Sequence, residues 1–231
     1  MTEKEETLDL ILSIEDSSVE NENKVLAPLM EEIDLIQDQG IIGFVKAVLL
    51  KAPQHFWTMP SAFSSTEECP PDELDKGGNL LHTKRVVRIV MDLAMCQNMD
   101  QEDTDRLIAA AILHDVSKGG FGDQPRYDDM HPYTVDTLVE VIRSIEFKRA
   151  SEGESAIMWA NIEDVDAILR IIRCHDGLLS PIPETIPITP VEWILHFANT
   201  VAKNLHCYAD PNREIQYWRW VPPEVDDGQP E

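Results

Sequence analysis

The sequence predicts an all-α protein, built as one helical domain with flexible acidic segments at both ends. Apolar residues recur at the three- and four-residue spacing of a helix over several stretches of the 231 residues. No stretch of useful length alternates apolar and polar residues as a strand does, and an apolar share of 43% is enough to bury a sizeable core. We predict an acidic, mobile arm at residues 1–23, a helical domain at 24–208, and a C-terminal segment with an acidic tail at 209–231.

The first third of the chain contains two predicted helices and a loop. Helical spacing of apolar residues predicts one helix over Leu26–Gln37 and another over Ile41–Ala52, which Pro53 ends. Residues 53–79 contain several prolines and two adjacent glycines, with little periodicity. They are therefore predicted to form an ordered surface loop that leads into the next helix.

The rest of the chain has the stronger helical pattern. Asp103 or Thr104 is the expected N-cap of a helix that ends at His114, and a Gly-rich, charged loop at residues 119–130 follows it. Pro132 suits the first turn of the next helix, where a missing N–H costs nothing. The predicted helices begin at Asn79, span Thr104–His114, begin near His131, span Ile162–Cys174 and span about Pro190–Leu205.

Composition limits the partners. The net charge of −24 repels nucleic-acid backbones, whose binding depends on Lys and Arg, so we expect a small phosphorylated substrate rather than a long nucleic acid.

The longest apolar run, Ile41–Leu50, falls short of the ~18–20 residues that span a bilayer. The chain starts with acidic residues rather than a basic leader, which predicts a cytoplasmic location. The four cysteines form no CxxC pair, so neither a disulfide framework nor a four-thiolate zinc site is expected. Whether the protein forms homo-oligomers is left open.

Histidines are placed near helix ends. His114 and Asp115 end the apolar run 107–113, and a buried His–Asp pair is costly unless a cation or backbone hydrogen bonds compensate for it. His82, His131 and His175 also fall at or near predicted helix ends. Rigid helix ends suit metal ligands, so the distribution favours a metal site over backbone pairing alone.

Two motifs resemble those of the HD phosphohydrolase superfamily. Residues 113–118 read Leu-His-Asp-Val-Ser-Lys and resemble its His-Asp-x-x-Lys signature, while 77–83 resemble its Gly-Gly-Leu-x-x-His-Thr segment. Residues 131–132 and 171–176 resemble the third and fourth histidine positions of members with two metals. The similarity covers roughly residues 56–204, and it implies an HD-type helical bundle.

The resemblance implies a metal-dependent phosphohydrolase that acts on a nucleotide or other small phosphate ester through a metal-activated water. By this resemblance His82, His114 and Asp115 hold one divalent ion, and His131 and His175 complete a second site that Asp115 bridges. One or two ions of Mn, Fe, Co, Ni or Zn are implied. Asp115 and Lys118 are the implied catalytic residues. The phosphate-binding candidates are Lys118, Lys84, Arg85 and Arg126, of which the last three are also readily explained as solvated surface charges.

One position departs from the superfamily pattern. Its last ligand is an aspartate in an Ala-Asp pair, where this chain has Ala198–Asn199. A neutral amide oxygen can still coordinate, with lower metal affinity. Three alternatives stay open: a weaker catalyst, a site in which Asp176 or water substitutes, or a non-catalytic protein that binds a nucleotide or a partner. A di-iron oxygenase is a further alternative, because some HD proteins use two metals for oxidative cleavage.

Overall fold

The computed structural model describes residues 19–62, 70–121, 135–140, 142–143, 160–177 and 182–203. Every regular element in these ranges is a helix, which confirms the predicted all-α class. The predicted flexible ends fall largely at residues 1–18 and 204–231, outside the described part of the chain, as do His131 and Arg126.

The N-terminal part is more broken than predicted. Helix α1 spans Val19–Leu26, a 3₁₀ turn spans Ala27–Leu29, and helix α2 spans Met30–Ile33. The expected single helix over 26–37 is therefore wrong, since the 3₁₀ turn contains Pro28 and the backbone leaves helical geometry at Leu29 (φ −119°, ψ 9°). Helix α1 also begins five residues inside the predicted acidic arm.

Helix α3 spans Gln39–Leu50, close to the predicted range. Asp38 caps its N-terminus, accepting a hydrogen bond from the Ile41 N–H at 2.8 Å. The predicted loop after it contains short 3₁₀ turns at Gln54–Trp57 and Pro71–Glu73, and residues 63–69 of the loop are not described.

Helix α4 spans Gly78–Cys96, beginning within one residue of the predicted start. Helix α5 spans Gln101–Leu113, and its segment from Leu107 to Leu113 has no solvent exposure. The N-cap of α5 is Asp100, whose carboxylate accepts from the Asp103 N–H at 2.9 Å. The predicted caps, Asp103 and Thr104, are wrong because the helix begins earlier and both lie inside its first turn.

Helix α6 spans Ile162–Arg173 and helix α7 spans Pro190–Ala202, while residues 135–140 are helical between α5 and α6. Thr189 and Glu192 form a capping box at the start of α7. Helix α4 packs against α5 and α7, and α5 packs against α3 and α6. The buried α5 is thus the centre of the bundle, with its C-terminus facing residues from α4, α6 and α7. Within the described ranges, no helix combines the length and apolarity needed to cross a bilayer.

Candidate metal centre

Four helices bring five predicted ligands to one buried place. His82 lies near the start of α4, His114 and Asp115 lie at the end of α5, His175 follows α6, and Asn199 lies in α7. None of the five is more than 7% exposed. Residues far apart in the sequence therefore meet where the helix ends converge.

The donor atoms lie within reach of a common cation. Ligand atoms of His82, His114 and Asp115 all lie within 4.8 Å of one another. His82 Nε2 is 3.0 Å from Asn199 Oδ1, and His175 Nε2 is 3.9 Å from Asp115 Oδ1. The ring centroids of His82 and His114 are 5.4 Å apart, as are those of His114 and His175. His131, the remaining predicted histidine ligand, lies outside the described residues.

Two of the histidine rings are oriented by backbone carbonyls of the helix they terminate. His114 Nδ1 donates to the Ala111 carbonyl at 2.8 Å, and His175 Nδ1 donates to the Ile172 carbonyl at 2.7 Å. The last carbonyls of a helix lack intrahelical donors, so they are free to accept these bonds. With the proton on Nδ1, each ring presents the Nε2 lone pair as a potential ligand. His114 Nε2 is buried and has no hydrogen-bond partner among the described residues.

Asn199 is oriented by a similar contact. Its Nδ2 donates to the His175 carbonyl at 3.2 Å, which turns Oδ1 toward His82. The amide therefore presents an oxygen, rather than its NH₂ group, to the other donor atoms. The residue that departs from the superfamily pattern keeps a ligand atom in place.

The electrostatics favour the protonation states that bind metal. Burial lowers the pKa of His114 to about 3, which keeps the ring neutral. Burial opposes ionisation of Asp115, but Lys118 and the nearby imidazoles hold the pKa of this carboxyl well below its usual value. A neutral imidazole and an ionised carboxylate are the forms that coordinate a cation.

Lys118 lies at the centre. Its Nζ is 2.9 Å from Asp115 Oδ2, and the side chain is buried. The ammonium group therefore restrains the carboxylate that the sequence predicts as the bridging ligand. Its predicted contact with a phosphate stays a prediction.

Two predicted phosphate-binding residues are paired with carboxylates in the structure. Arg85 is fully buried, and its guanidinium pairs with Glu73 and Asp72. Lys84 Nζ lies 3.3 Å from Glu32 Oε2. Lys84 follows His82 by two residues in the same helix, so the two side chains lie on different faces. Because both charges are already paired, a phosphate would have to compete with these carboxylates for either side chain. Arg126 is not described.

Sequence reasoning missed two residues near the histidines, first Lys203 and second Glu73. Lys203 Nζ is 3.7 Å from Asp176 Oδ1, which in turn is 3.4 Å from His175 Nε2. Burial opposes ionisation of Asp176, but His175 and Lys203 hold the pKa of its carboxyl below the usual value. Lys203 follows Asn199 by four residues, so helical spacing could have placed both on one face. The second group, Glu73, contacts His82, and no sequence pattern pointed to it.

The donor set fits a transition-metal ion. Three imidazole nitrogens, one carboxylate and one amide oxygen match the preferences of Mn, Fe, Co, Ni or Zn better than those of Ca or Mg, which favour oxygen ligands. His114 Nε2 lies 3.6 Å from Asp115 Oδ2 and has no hydrogen-bond partner in the described part of the chain, as expected of a metal ligand.

The chain is similar to a known protein family over more than half of its length. A family model described as HD domain matches residues 79–202, which include His82, His114, Asp115, His175 and Asn199. The match also falls inside the predicted domain at residues 24–208. No curated protein and no solved structure matches the chain.

Proposed function

The chain belongs to the HD-domain family, and from that premise we propose that it is a metal-dependent phosphohydrolase acting on a nucleotide or other small phosphate ester. The observation that supports this most is the convergence of His82, His114, Asp115 and Asn199, with His114 Nε2 left without a hydrogen-bond partner among the described residues. Unpaired buried acceptors are rare in folded proteins, and a cation held by these residues would satisfy His114 Nε2.

The residues have separate parts in this proposal. His82, His114, Asp115 and Asn199 would hold the first ion, and His175 lies close enough to Asp115 to help to hold a second. A divalent ion held there supplies Lewis acidity, polarising a phosphoryl oxygen and lowering the pKa of a bound water. Lys118 keeps Asp115 ionised and oriented.

Charge at the rim supports a small phosphorylated substrate. Lys203, at the end of α7, is about one-third exposed and loosely paired with Asp176. A phosphate that reaches the centre could exchange with Asp176 for this ammonium group. The rest of the molecule is strongly anionic, so a compact ligand with few phosphates meets less repulsion than a polynucleotide.

Activity assays on reconstituted protein test the proposal. Chelator-treated full chain is loaded separately with Mn²⁺, Fe²⁺, Co²⁺, Ni²⁺ and Zn²⁺ and offered nucleoside mono- and diphosphates, cyclic nucleotides and nitrophenyl phosphates. Release of phosphate or nucleoside is expected with at least one ion. His114→Gln is expected to lower turnover more than about a hundredfold, since even residues that merely orient ligands are worth 10–100-fold.

His55→Gln is the matched control, because His55 is also buried but is not among the converging residues. It is expected to keep wild-type turnover. A silent panel with every ion, or equal activity in His114→Gln and wild type, would contradict the proposal.

The same preparations separate the two alternatives. A non-catalytic binding protein would take up metal and gain thermal stability with a nucleotide, but would release no product. A di-iron oxygenase would consume oxygen in the iron-loaded sample alone. Asn199, which brings no charge to the centre, is the observation that keeps the first alternative worth testing.

A further inference from the structure

Glu73 and His82 form a buried contact in which neither facing atom has a hydrogen-bond partner recorded among the described residues. Both side chains are fully buried, and Glu73 Oε2 lies 3.3 Å from His82 Nδ1. If Nδ1 had no proton, its lone pair would face the carboxylate oxygen in a region without solvent. That arrangement repels, so a proton belongs on Nδ1.

The other oxygen of Glu73 is held by Arg85. Its Oε1 accepts from Arg85 Nη1 at 2.5 Å, and Asp72 pairs with the second amino group of the same guanidinium. Arg85 thus both fixes the orientation of the Glu73 carboxylate and makes its burial tolerable.

Gly78 permits this approach. The Glu73 backbone passes so close to the first residue of α4 that a Cβ on Gly78 would lie 1.9 Å from the Glu73 carbonyl oxygen. The glycine thus lets the turn Pro71–Glu73 pack directly on the helix that bears His82. The contact is built into the local fold.

On the opposite side of the ring, His82 Nε2 is 3.0 Å from Asn199 Oδ1, an acceptor, so the same repulsion requires either a proton on Nε2 or a cation that both atoms bind. We propose that Glu73 is a positioning residue of the metal centre: it accepts the Nδ1–H of His82 and so keeps Nε2 available as a ligand atom. This inference rests on the proposed metal centre, and it assigns to a carboxylate the role that backbone carbonyls have for His114 and His175. An acceptor of full negative charge also makes the His82 nitrogen a stronger donor. That gain partly offsets the missing charge at Asn199.

The substitution Glu73→Gln has a definite expected effect. Arg85 can only donate, so the amide oxygen of the new side chain faces Arg85 and its NH₂ group faces His82. That NH₂ donates to Nδ1, which moves the ring proton to Nε2. A proton held on Nε2 donates to Asn199 Oδ1 and occupies the lone pair that the ion needs.

Asp72→Asn is the matched control. It removes a charge from the same guanidinium, but the Asp72 side chain is 40% exposed and pairs with Arg85. A general electrostatic role for this cluster would make the two variants alike, whereas positioning of His82 would separate them.

Two measurements on the full chain test the inference. Long-range ¹⁵N–¹H NMR of the chelator-treated protein shows whether Nδ1 of His82 bears a proton, and titration followed by visible absorption gives the affinity for Co²⁺. Wild type and Asp72→Asn are expected to show a protonated Nδ1. Glu73→Gln is expected to show the proton on Nε2 and to bind Co²⁺ about 10–100-fold more weakly.

An unprotonated Nδ1 in wild type, or unchanged Co²⁺ affinity in Glu73→Gln, overturns the inference. If wild type binds no Co²⁺, the proposed function fails, while the NMR result still decides whether Glu73 fixes the ring. If Glu73→Gln does not fold, Glu73→Asp carries the test. Because aspartate keeps a carboxylate, this variant is expected to keep the proton on Nδ1 of His82. Absence of that proton in Glu73→Asp would overturn the inference.

Discussion

At the level of single residues, Asn199 has two contacts that an aspartate could not make together. Its Oδ1 faces His82, and its Nδ2 donates to the carbonyl of His175. The second contact joins α7 to the turn after α6. The amide thus contributes to the structure of the centre as well as to its donor set, which gives a physical reason for asparagine at this position.

We expect Asn199→Asp to have opposite effects on the metal-free and metal-loaded protein. Without metal, a carboxylate oxygen would face the His175 carbonyl in a buried site, so the free energy of unfolding should fall by about 1–3 kcal/mol. With metal, the added negative charge should strengthen coordination. Thermal unfolding with chelator and with excess Co²⁺ measures both. A variant as stable as wild type in chelator, or with no larger stabilisation by Co²⁺, would contradict this reading.

Cys174 is expected to be chemically inert although it precedes His175. The thiol is fully buried, and burial together with Glu192 raises its pKa to about 11. At pH 8 only about one molecule in a thousand would hold a thiolate, which is the reactive form. Peptide mapping after brief iodoacetamide treatment should find Cys96, which is exposed, labelled and Cys174 unlabelled. Equal labelling at pH 8 would show that the thiol is accessible and that a nucleophilic role must be reconsidered.

At the level of elements, the helical period of apolar residues was sufficient to predict α3, α4, α6 and α7 within a few residues. The break at Pro28 was not predicted, because the apolar spacing continues across it although the backbone does not. The His–Asp pair was predictable, since it directly ends the buried helix α5. The roles of Arg85 and Glu73 were not, because their pairing depends on the loop folding back onto α4.

The start of α4 depends on two adjacent glycines for different reasons. Gly77 has a positive φ of 85°, with the nearest contact of an added Cβ at 4.0 Å, whereas Gly78 is restricted by the Glu73 backbone. Gly77→Asn should therefore cost less than about 1 kcal/mol, since Asn tolerates this conformation. Gly78→Ala should cost at least about 2 kcal/mol, because backbone must move.

Urea unfolding of both glycine variants in chelator gives this comparison directly. Gly78→Ala should in addition weaken Co²⁺ binding, since it displaces the turn that bears Glu73. Equal losses of stability in the two variants would show that the close approach of Glu73 to α4 is not required.

At the level of the whole molecule, the bundle buries its histidines at helix ends within a strongly anionic chain. The net charge of −24 attracts divalent cations and repels polyanions. In the described residues several arginines are already paired with carboxylates, among them Arg85, Arg106, Arg170 and Arg173. The overall charge and the paired cations therefore agree with a small ligand that reaches a metal ion.

The central claim is that His82, His114, Asp115 and Asn199 share a cation, and metal stoichiometry tests it most directly. Elemental analysis would be made on wild type, His114→Gln and His55→Gln, purified without chelator or affinity tag and again after loading with Co²⁺. We expect at least one bound transition-metal ion per chain in wild type and His55→Gln, and less than about a tenth of that in His114→Gln, because each lost ligand weakens the site steeply. Wild-type protein that stays free of metal after loading, or a His114→Gln variant that binds as much as wild type, would contradict the claim.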